Sequence, residues 1–388
     1  EVWLRSGSEF NDRGQVTKSW GAMPRSRYGA TDWDNGNASG DNVTPMTETR
    51  YDEGISGVAA TLWPNWNFTG PPTSHATFAS TAVNWGAGMP AGMVDANGAA
   101  YSNADAWSLR LTGVIDLSTV GSYAFQLWVN GWARMFIDGK LVVDWTWDTG
   151  AFQVAAGSFN NTTAGTKPFV IEFADSAGAA ELGVIWAPPG GSAAGLPAAS
   201  VAPNYGLATS TITRTAAPGG VPATVTSTAG YGTNPELGLP VSSTVDPTGL
   251  ALTTATDYEA PGAGYLRRIK RRLPAGVGSE IASAYYGAAE GPIGAVCGVT
   301  AGQKQYGALK QTTAADPDGA GSGQPLVRQY VYDSAGRQVG SRVGYGSGTG
   351  AVASAAWVCA TFDSRGRPAT VTFPAFGAQT ATRTVMYS

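Results

Sequence analysis

Residues 121–148 read Gly121-Ser122-Tyr123-Ala124-Phe125-Gln126-Leu127-Trp128-Val129-Asn130-Gly131-Trp132-Ala133-Arg134-Met135-Phe136-Ile137-Asp138-Gly139-Lys140-Leu141-Val142-Val143-Asp144-Trp145-Thr146-Trp147-Asp148. Tyr123, Phe125, Leu127 and Val129 alternate with Ala124, Gln126 and Trp128, a period of two that sends successive side chains to opposite faces of a strand. Met135 and Ile137 continue the alternation, Asp138-Gly139 breaks it, and Leu141-Val142-Val143 returns as the next strand. Asp-Gly between two such runs is a strong hairpin signal. Further along, Phe169, Ile171 and Phe173 alternate with Val170 and Glu172. Leu182, Val184 and Trp186 form the last run, ended by Pro188-Pro189-Gly190-Gly191. Short strands at this spacing predict an antiparallel sandwich or barrel. The Pro/Gly/Ala-rich stretch 187–204 reads as its exit linker.

Composition extends this reading to the whole chain. With 53 Gly and 23 Pro in 388 residues, helices are disfavoured. Charged residues at 13% and aromatics at 10% argue against disorder. The chain therefore reads as all-β. A net charge of −4 gives no basic footprint for nucleic acid. The exception is the run Arg267, Arg268, Lys270, Arg271, Arg272, which alternation splits between two strand faces and which reads as a solvated sheet edge. No stretch approaches 18 apolar residues, so no membrane-spanning helix is expected. The chain starts and stops in mid-pattern and reads as a piece of something longer.

The residue inventory removes much chemistry. There is one histidine, His75, and two cysteines, Cys297 and Cys359. Zinc sites draw three or four ligands from such sets, so no metal site is expected. A Ser/His/Asp triad would have to use His75, in the turn-rich Pro71-Pro72-Thr73-Ser74-His75, and no G-x-S-x-G elbow accompanies it. His75 reads as a loop residue without a catalytic role. Acidic pairs for glycoside hydrolysis are available by number, but no pair stands out. Cys297 and Cys359 read as one disulfide of a secreted protein or as two separate buried thiols.

The outer regions carry a weak repeat. Phe10-Asn11-Asp12-Arg13-Gly14-Gln15, Tyr332-Asp333-Ser334-Ala335-Gly336-Arg337 and Phe362-Asp363-Ser364-Arg365-Gly366-Arg367 share one template. An aromatic anchors a strand end, a polar residue and two turn residues follow, Gly supplies a positive φ, and the next strand leaves antiparallel. Tyr51-Asp52 and Tyr258-Glu259 are partial copies. A lone hairpin is marginal, so such units must stack on neighbours.

These copies resemble the YD repeats of RHS-type bacterial proteins, whose hairpins spiral into a hollow shell. The resemblance covers residues 1–53 and 205–388. Residues 54–204 resemble the carbohydrate-binding β-sandwich of the protective-antigen type. The ordered matches run from Ala59-Ala60-Thr61-Leu62-Trp63 through Trp107–Gly113, Gly121–Phe125 and Arg134–Val143 to Ala180–Trp186. The fold these resemblances imply is an antiparallel sandwich inserted in a YD-repeat hairpin strip. Thr49–Gly54 should then lie close to Asn204–Leu207. In calcium-dependent lectins of the sandwich family, two consecutive Asp hold the metal. The matching positions here are Asn130-Gly131, so calcium, possible in the family, is not expected as a cofactor.

Two local constellations are candidate glycan contacts. In Asp144-Trp145-Thr146-Trp147-Asp148, alternation puts Trp145 and Trp147 on one face and Asp144 and Asp148 on the other. The indoles read either as sugar-stacking platforms or as core packing. Asn130-Gly131-Trp132 reads as a polar and aromatic lip at the sandwich rim, or as an ordinary connection. Asp138 is a third candidate, although turn chemistry already accounts for it.

The resulting expectation is a non-enzymatic part of a large exported protein, secreted or on the bacterial surface. Its repeats would serve as scaffold and its sandwich would bind a glycan or another cell-surface ligand. The alternatives are a purely structural plug or brace of a toxin-bearing shell and, from another class, a glycoside hydrolase. Its other partner would be the rest of its own chain.

Overall fold

In the computed structural model, the structure describes residues 4–24, 45–145, 148–215, 223–262, 264–276, 278–319, 323–346 and 355–387. Among them the regular structure is antiparallel β with two short 3-10 turns. The chain forms two compact units, Glu1–Pro240 and Val241–Ser388.

The first unit begins with β1 (Leu4–Phe10), β2 (Val16–Pro24) and β3 (Met46–Tyr51). The sandwich follows with β4 (Val58–Trp63), β5 (Ser74–Phe78), β6 (Val83–Gly86), β7 (Trp107–Leu117) and β8 (Gly121–Asn130). It continues with β9 (Trp132–Ile137), β10 (Lys140–Trp145), β11 (Gln153–Asn161), β12 (Gly165–Asp175) and β13 (Ala180–Ala187). Two short strands close it, β14 (Ala194–Gly195) and β15 (Val201–Ala202). Then come β16 (Ala208–Arg214) and β17 (Thr224–Gly230).

One sandwich sheet has the order β10-β9-β12-β7-β4-β5, with β15 also on β7; the other has β11-β8-β13-β14, with β6 on β13. Between them lies a dry core. On β7, Trp107, Leu109, Leu111, Ile115 and Leu117 point inward; Tyr123, Phe125, Leu127 and Val129 of β8 meet them. Phe169, Ile171 and Phe173 of β12 complete the layer. Full burial of side chains of this size contributes roughly 1.5–3 kcal/mol each.

Two expectations are corrected here and one, the Asp138-Gly139 hairpin, holds. The stretch 187–204 is not a free linker: β14 pairs with β13, β15 pairs with β7, and Leu196 and Val201 are buried in the core. His75 is on a strand rather than a loop, opposite Thr61. The Asp138-Gly139 turn has positive φ at both residues (50° and 70°), the geometry of a tight two-residue hairpin.

The remaining strands of the first unit run β1-β2-β3-β16-β17, all antiparallel. β3 and β16 pair directly across the sandwich, Tyr51 opposite Ala208. Asp52 N–H donates to Leu207 O (2.8 Å), and Leu207 N–H donates to Asp52 Oδ1 (2.9 Å).

The second unit is a meander of β18 (Ser242–Val245), β19 (Leu252–Tyr258), β20 (Arg268–Arg272), β21 (Glu280–Tyr285) and β22 (Leu309–Thr313). It continues through β23 (Leu326–Tyr332), β24 (Gln338–Tyr345), β25 (Val358–Phe362), β26 (Pro368–Phe373) and β27 (Arg383–Met386). The basic run is not a sheet edge, because β20 pairs with both β19 and β21. Three of its five charges are matched instead. Arg267 pairs with Glu259, Lys270 with Glu280, and Arg272 with Asp257 and Glu280. Cys297 and Cys359 form a disulfide, with Cα atoms 5.1 Å apart, beside the small core of Val299, Val331 and Val339.

Candidate functional site

The outer face of the larger sandwich sheet carries a row of polar residues in register. Arg110 on β7 is directly opposite Glu172 on β12, and Glu172 is directly opposite Arg134 on β9. Glu172 is 5% exposed. Its Oε1 accepts from Arg110 Nε (2.9 Å) and Nη2 (2.6 Å), and its Oε2 accepts from Arg134 Nε (2.5 Å). Burial alone would raise the Glu172 pKa, but the hydrogen bonds from Arg134 and Arg110 outweigh it and hold the carboxyl below its usual range. One buried anion thus fixes two guanidinium groups on the sheet surface.

Aromatic rings frame these cations. Arg110 lies 5.3 Å from the Trp63 ring and 5.8 Å from Phe68. Arg134 lies 5.1 Å from Trp132 and 5.4 Å from Phe136. Phe68 bridges the two groups, with its centroid 5.3 Å from Trp63 and 5.7 Å from Trp132. Its φ of 57° is uncommon for an aromatic residue. Asn65 holds that bend: its Nδ2 donates to Thr69 O (2.9 Å) and its Oδ1 accepts from Thr69 N–H (3.0 Å).

Beside this row opens a cleft of about 580 Å3. Trp66, Asn67 and Phe68 form one wall; Trp132 and Arg134 form another; Asp148, Ala174 and Ser176 close it. The size and the mixture of aromatic and polar groups suit a small ligand. Ser176 N–H and Oγ donate to Asp148 Oδ2 (3.2 and 2.7 Å), and Gly150 N–H donates to Oδ1 (3.0 Å).

Of the residues singled out from sequence, Trp132 and Asp148 line this cleft. Asp144 is exposed on β10, opposite Arg134. Trp145 turns to the sandwich core, with its indole N–H buried and unpartnered. A bulge between Leu141 and Val143 is the reason: Leu141 faces solvent while Val143 and Trp145 face inward, although all three are odd-numbered. Asp138 ends the strand that starts at Trp132, and six residues of strand carry it roughly 20 Å away. Trp147 lies outside the described residues. The sequence reading missed Trp66, Asn67, Phe68, Arg134 and Ser176. The available signal was that Arg110, Arg134 and Glu172 are charges with apolar residues on both sides in sequence.

Asn130 ends β8, and its Oδ1 is buried without a partner. The Asp175 carboxylate is also buried and unpartnered. Burial, then the charges of Asp105 and Asp148, push its pKa up to about 7. These are oxygen donors of the type calcium takes, but two side chains fall short of the roughly six to eight oxygens it prefers. Among the described residues no three acidic, His or Cys side chains are grouped to hold an ion. Gly131 brings no ligand, and a Cβ there would meet Ala174 O at 2.8 Å. A proton on Asp175 accounts for a buried carboxyl among like charges.

Among curated proteins none matches the chain. Among solved structures, an anti-sigma factor domain-containing protein from Clostridium clariflavum aligns at 18% identity over 38% of this chain and 47% of its own, with a TM-score of 0.34. The chain therefore spans about half the length of that relative. A PA14 sugar-binding domain from an RTX adhesin aligns at 14% identity over 39% of this chain and 99% of its own, with a TM-score of 0.32. The epithelial adhesin 9 A domain from Candida glabrata, solved with Galb1-3GlcNAc, aligns at 10% identity over 38% of this chain and 88% of its own, TM-score 0.29. The family model that matches is the PA14 domain, over residues 54–198, which takes in β4 to β14 of the sandwich.

Proposed function

We propose that the sandwich is a glycan-binding module, displayed by a scaffold of repeated hairpins in a larger exported protein. The observation that carries this reading is the cleft, where the Trp66, Phe68 and Trp132 rings stand beside Arg134 and Asp148. Aromatic faces take the apolar C–H face of a sugar ring, and the charged groups take its hydroxyls. The PA14 match over the same residues supports the same class.

The hairpins support the scaffold role. Asp333 Oδ1 accepts from Ala335 and Arg337 N–H (both 2.9 Å), and Asp363 Oδ1 accepts from Arg365 and Arg367 N–H (both 2.9 Å). Asn11 does the same for Arg13 and Gln15 (both 3.0 Å). Asp52 closes the same turn with Leu207, so the sandwich is read as an insertion in one repeat turn, between residues 52 and 206. The disulfide suits an oxidising compartment, hence secretion or the cell surface. In this reading the module binds and does not catalyse.

The test is a glycan array with the full chain, beside Trp66→Ala and Trp132→Ala. Either variant should lower binding about tenfold, or about 1.4 kcal/mol. Binding by the parent that neither variant weakens would move the site elsewhere. No binding at all would favour the plug or brace reading.

A further inference from the structure

Resting on that glycan reading, we infer that the cleft selects sugars bearing a carboxylate, with the acid seated on Arg134. The cleft holds unspent hydrogen-bond donors. Arg134 spends only Nε on Glu172, so among the described residues neither of its Nη groups has a protein acceptor, and its side chain is 40% exposed at the cleft. Asn67 Oδ1 accepts from Thr69 Oγ1 (2.8 Å), which leaves Asn67 Nδ2 open as a donor. Among the described residues the indole N–H groups of Trp66 and Trp132 also make no protein hydrogen bond.

The acceptors are largely spent. Three protein donors turn to the Asp148 carboxylate. Ser176 gives its hydroxyl proton to Asp148. The Glu172 carboxylate beneath is saturated by its two arginines. A ligand must therefore bring acceptors. The planar pair of Nη groups matches the two oxygens of a carboxylate better than a single hydroxyl does. A hydroxyl needs acceptors as well as donors, and the cleft offers few.

Net charge does not supply the preference. Arg110 and Arg134 are offset by Glu172 and Asp148, and Asp144 lies opposite Arg134 on β10. Ordinary lysine-type attraction would be screened and unselective; a preset fork between two aromatic rings is directional.

The test titrates the full chain with trigalacturonate, with its methyl ester and with galactose 6-sulfate. Trigalacturonate should bind at least tenfold more tightly than the ester. Arg134→Gln should remove that preference, bringing acid and ester to within about threefold of each other. Arg134→Lys, which keeps charge but not the fork, should recover only part of it. Equal affinity for acid and ester would overturn the inference and leave the glycan reading standing, since the ester still binds. Equal or tighter binding of the sulfate would overturn the carboxylate assignment. Binding of none of the three, together with a silent glycan array, would end both.

Discussion

Leu207 N–H donates to Asp52 Oδ1 at 2.9 Å across 155 positions of sequence. The same bond in the Asp333 turn spans four positions, Arg337 N–H to Asp333 Oδ1, also at 2.9 Å. Gly206 and Gly336 sit before the closing residues with φ of 75° and 77°. Both turns share two bonds, Asp N–H to the closing residue's carbonyl and that residue's N–H to Asp Oδ1, and the Asp333 turn makes them with only Ser334-Ala335 in place of 53–205. A chain in which Ser-Ala replaces 53–205 should keep the β3–β16 pairing, with strand content and a cooperative urea transition. Loss of that transition would refute the insertion.

Asp52→Ala should destabilise the first unit by about 1–3 kcal/mol, because two backbone donors, Gly206 and Leu207 N–H, lose their acceptor. Urea midpoints give the value. A change within error would mean that water replaces the carboxylate and that the turn is held elsewhere.

Glu172→Ala should cost about 2 kcal/mol, below the roughly 3–5 kcal/mol of a fully buried broken pair because both arginines are partly exposed. It should also release Arg134 and weaken glycan binding. Glu172 has a lowered folded pKa. Its contribution is therefore present above the unfolded value and is lost as pH falls through the folded one.

Asp175 acts in the opposite sense. Its folded pKa of about 7 exceeds the unfolded value. The stability is full below about pH 4, falls as pH rises, and is lost once pH passes about 7. The upper bound is about 4 kcal/mol. Asp175→Asn should remove this slope and be more stable than the parent at pH 8. Parallel pH profiles for the two chains would show that Asp175 is not the group responsible.

Reduction of Cys297–Cys359 should destabilise the second unit by about 4 kcal/mol, since the bond closes a loop spanning 62 positions. Calorimetry with and without reductant measures this. An unchanged transition would mean that the loop is ordered without the bond.

The sandwich strands were legible because period-two alternation survives wherever one face is buried, as in Tyr123 to Val129. Trp145 was ambiguous because a bulge at Val142 swaps strand faces without a sequence mark. The basic run looked like an edge because its partners are remote in sequence: Asp257 on β19, Glu259 just beyond it and Glu280 on β21. Half of the cleft was invisible because Trp66, Asn67 and Phe68 occupy an aperiodic loop. Arg110, Glu172 and Arg134 meet only through strand register, across 62 and 38 positions.

The most direct measurement is a crystal structure of the full chain with a saccharide selected on the array. The account predicts a sugar ring against Trp132, with its polar groups on Arg134 and Asn67 and no metal ion between sugar and protein. A sugar seated at the Asp138 hairpin end, or bound through a cation at Asn130 with the cleft empty, would contradict it.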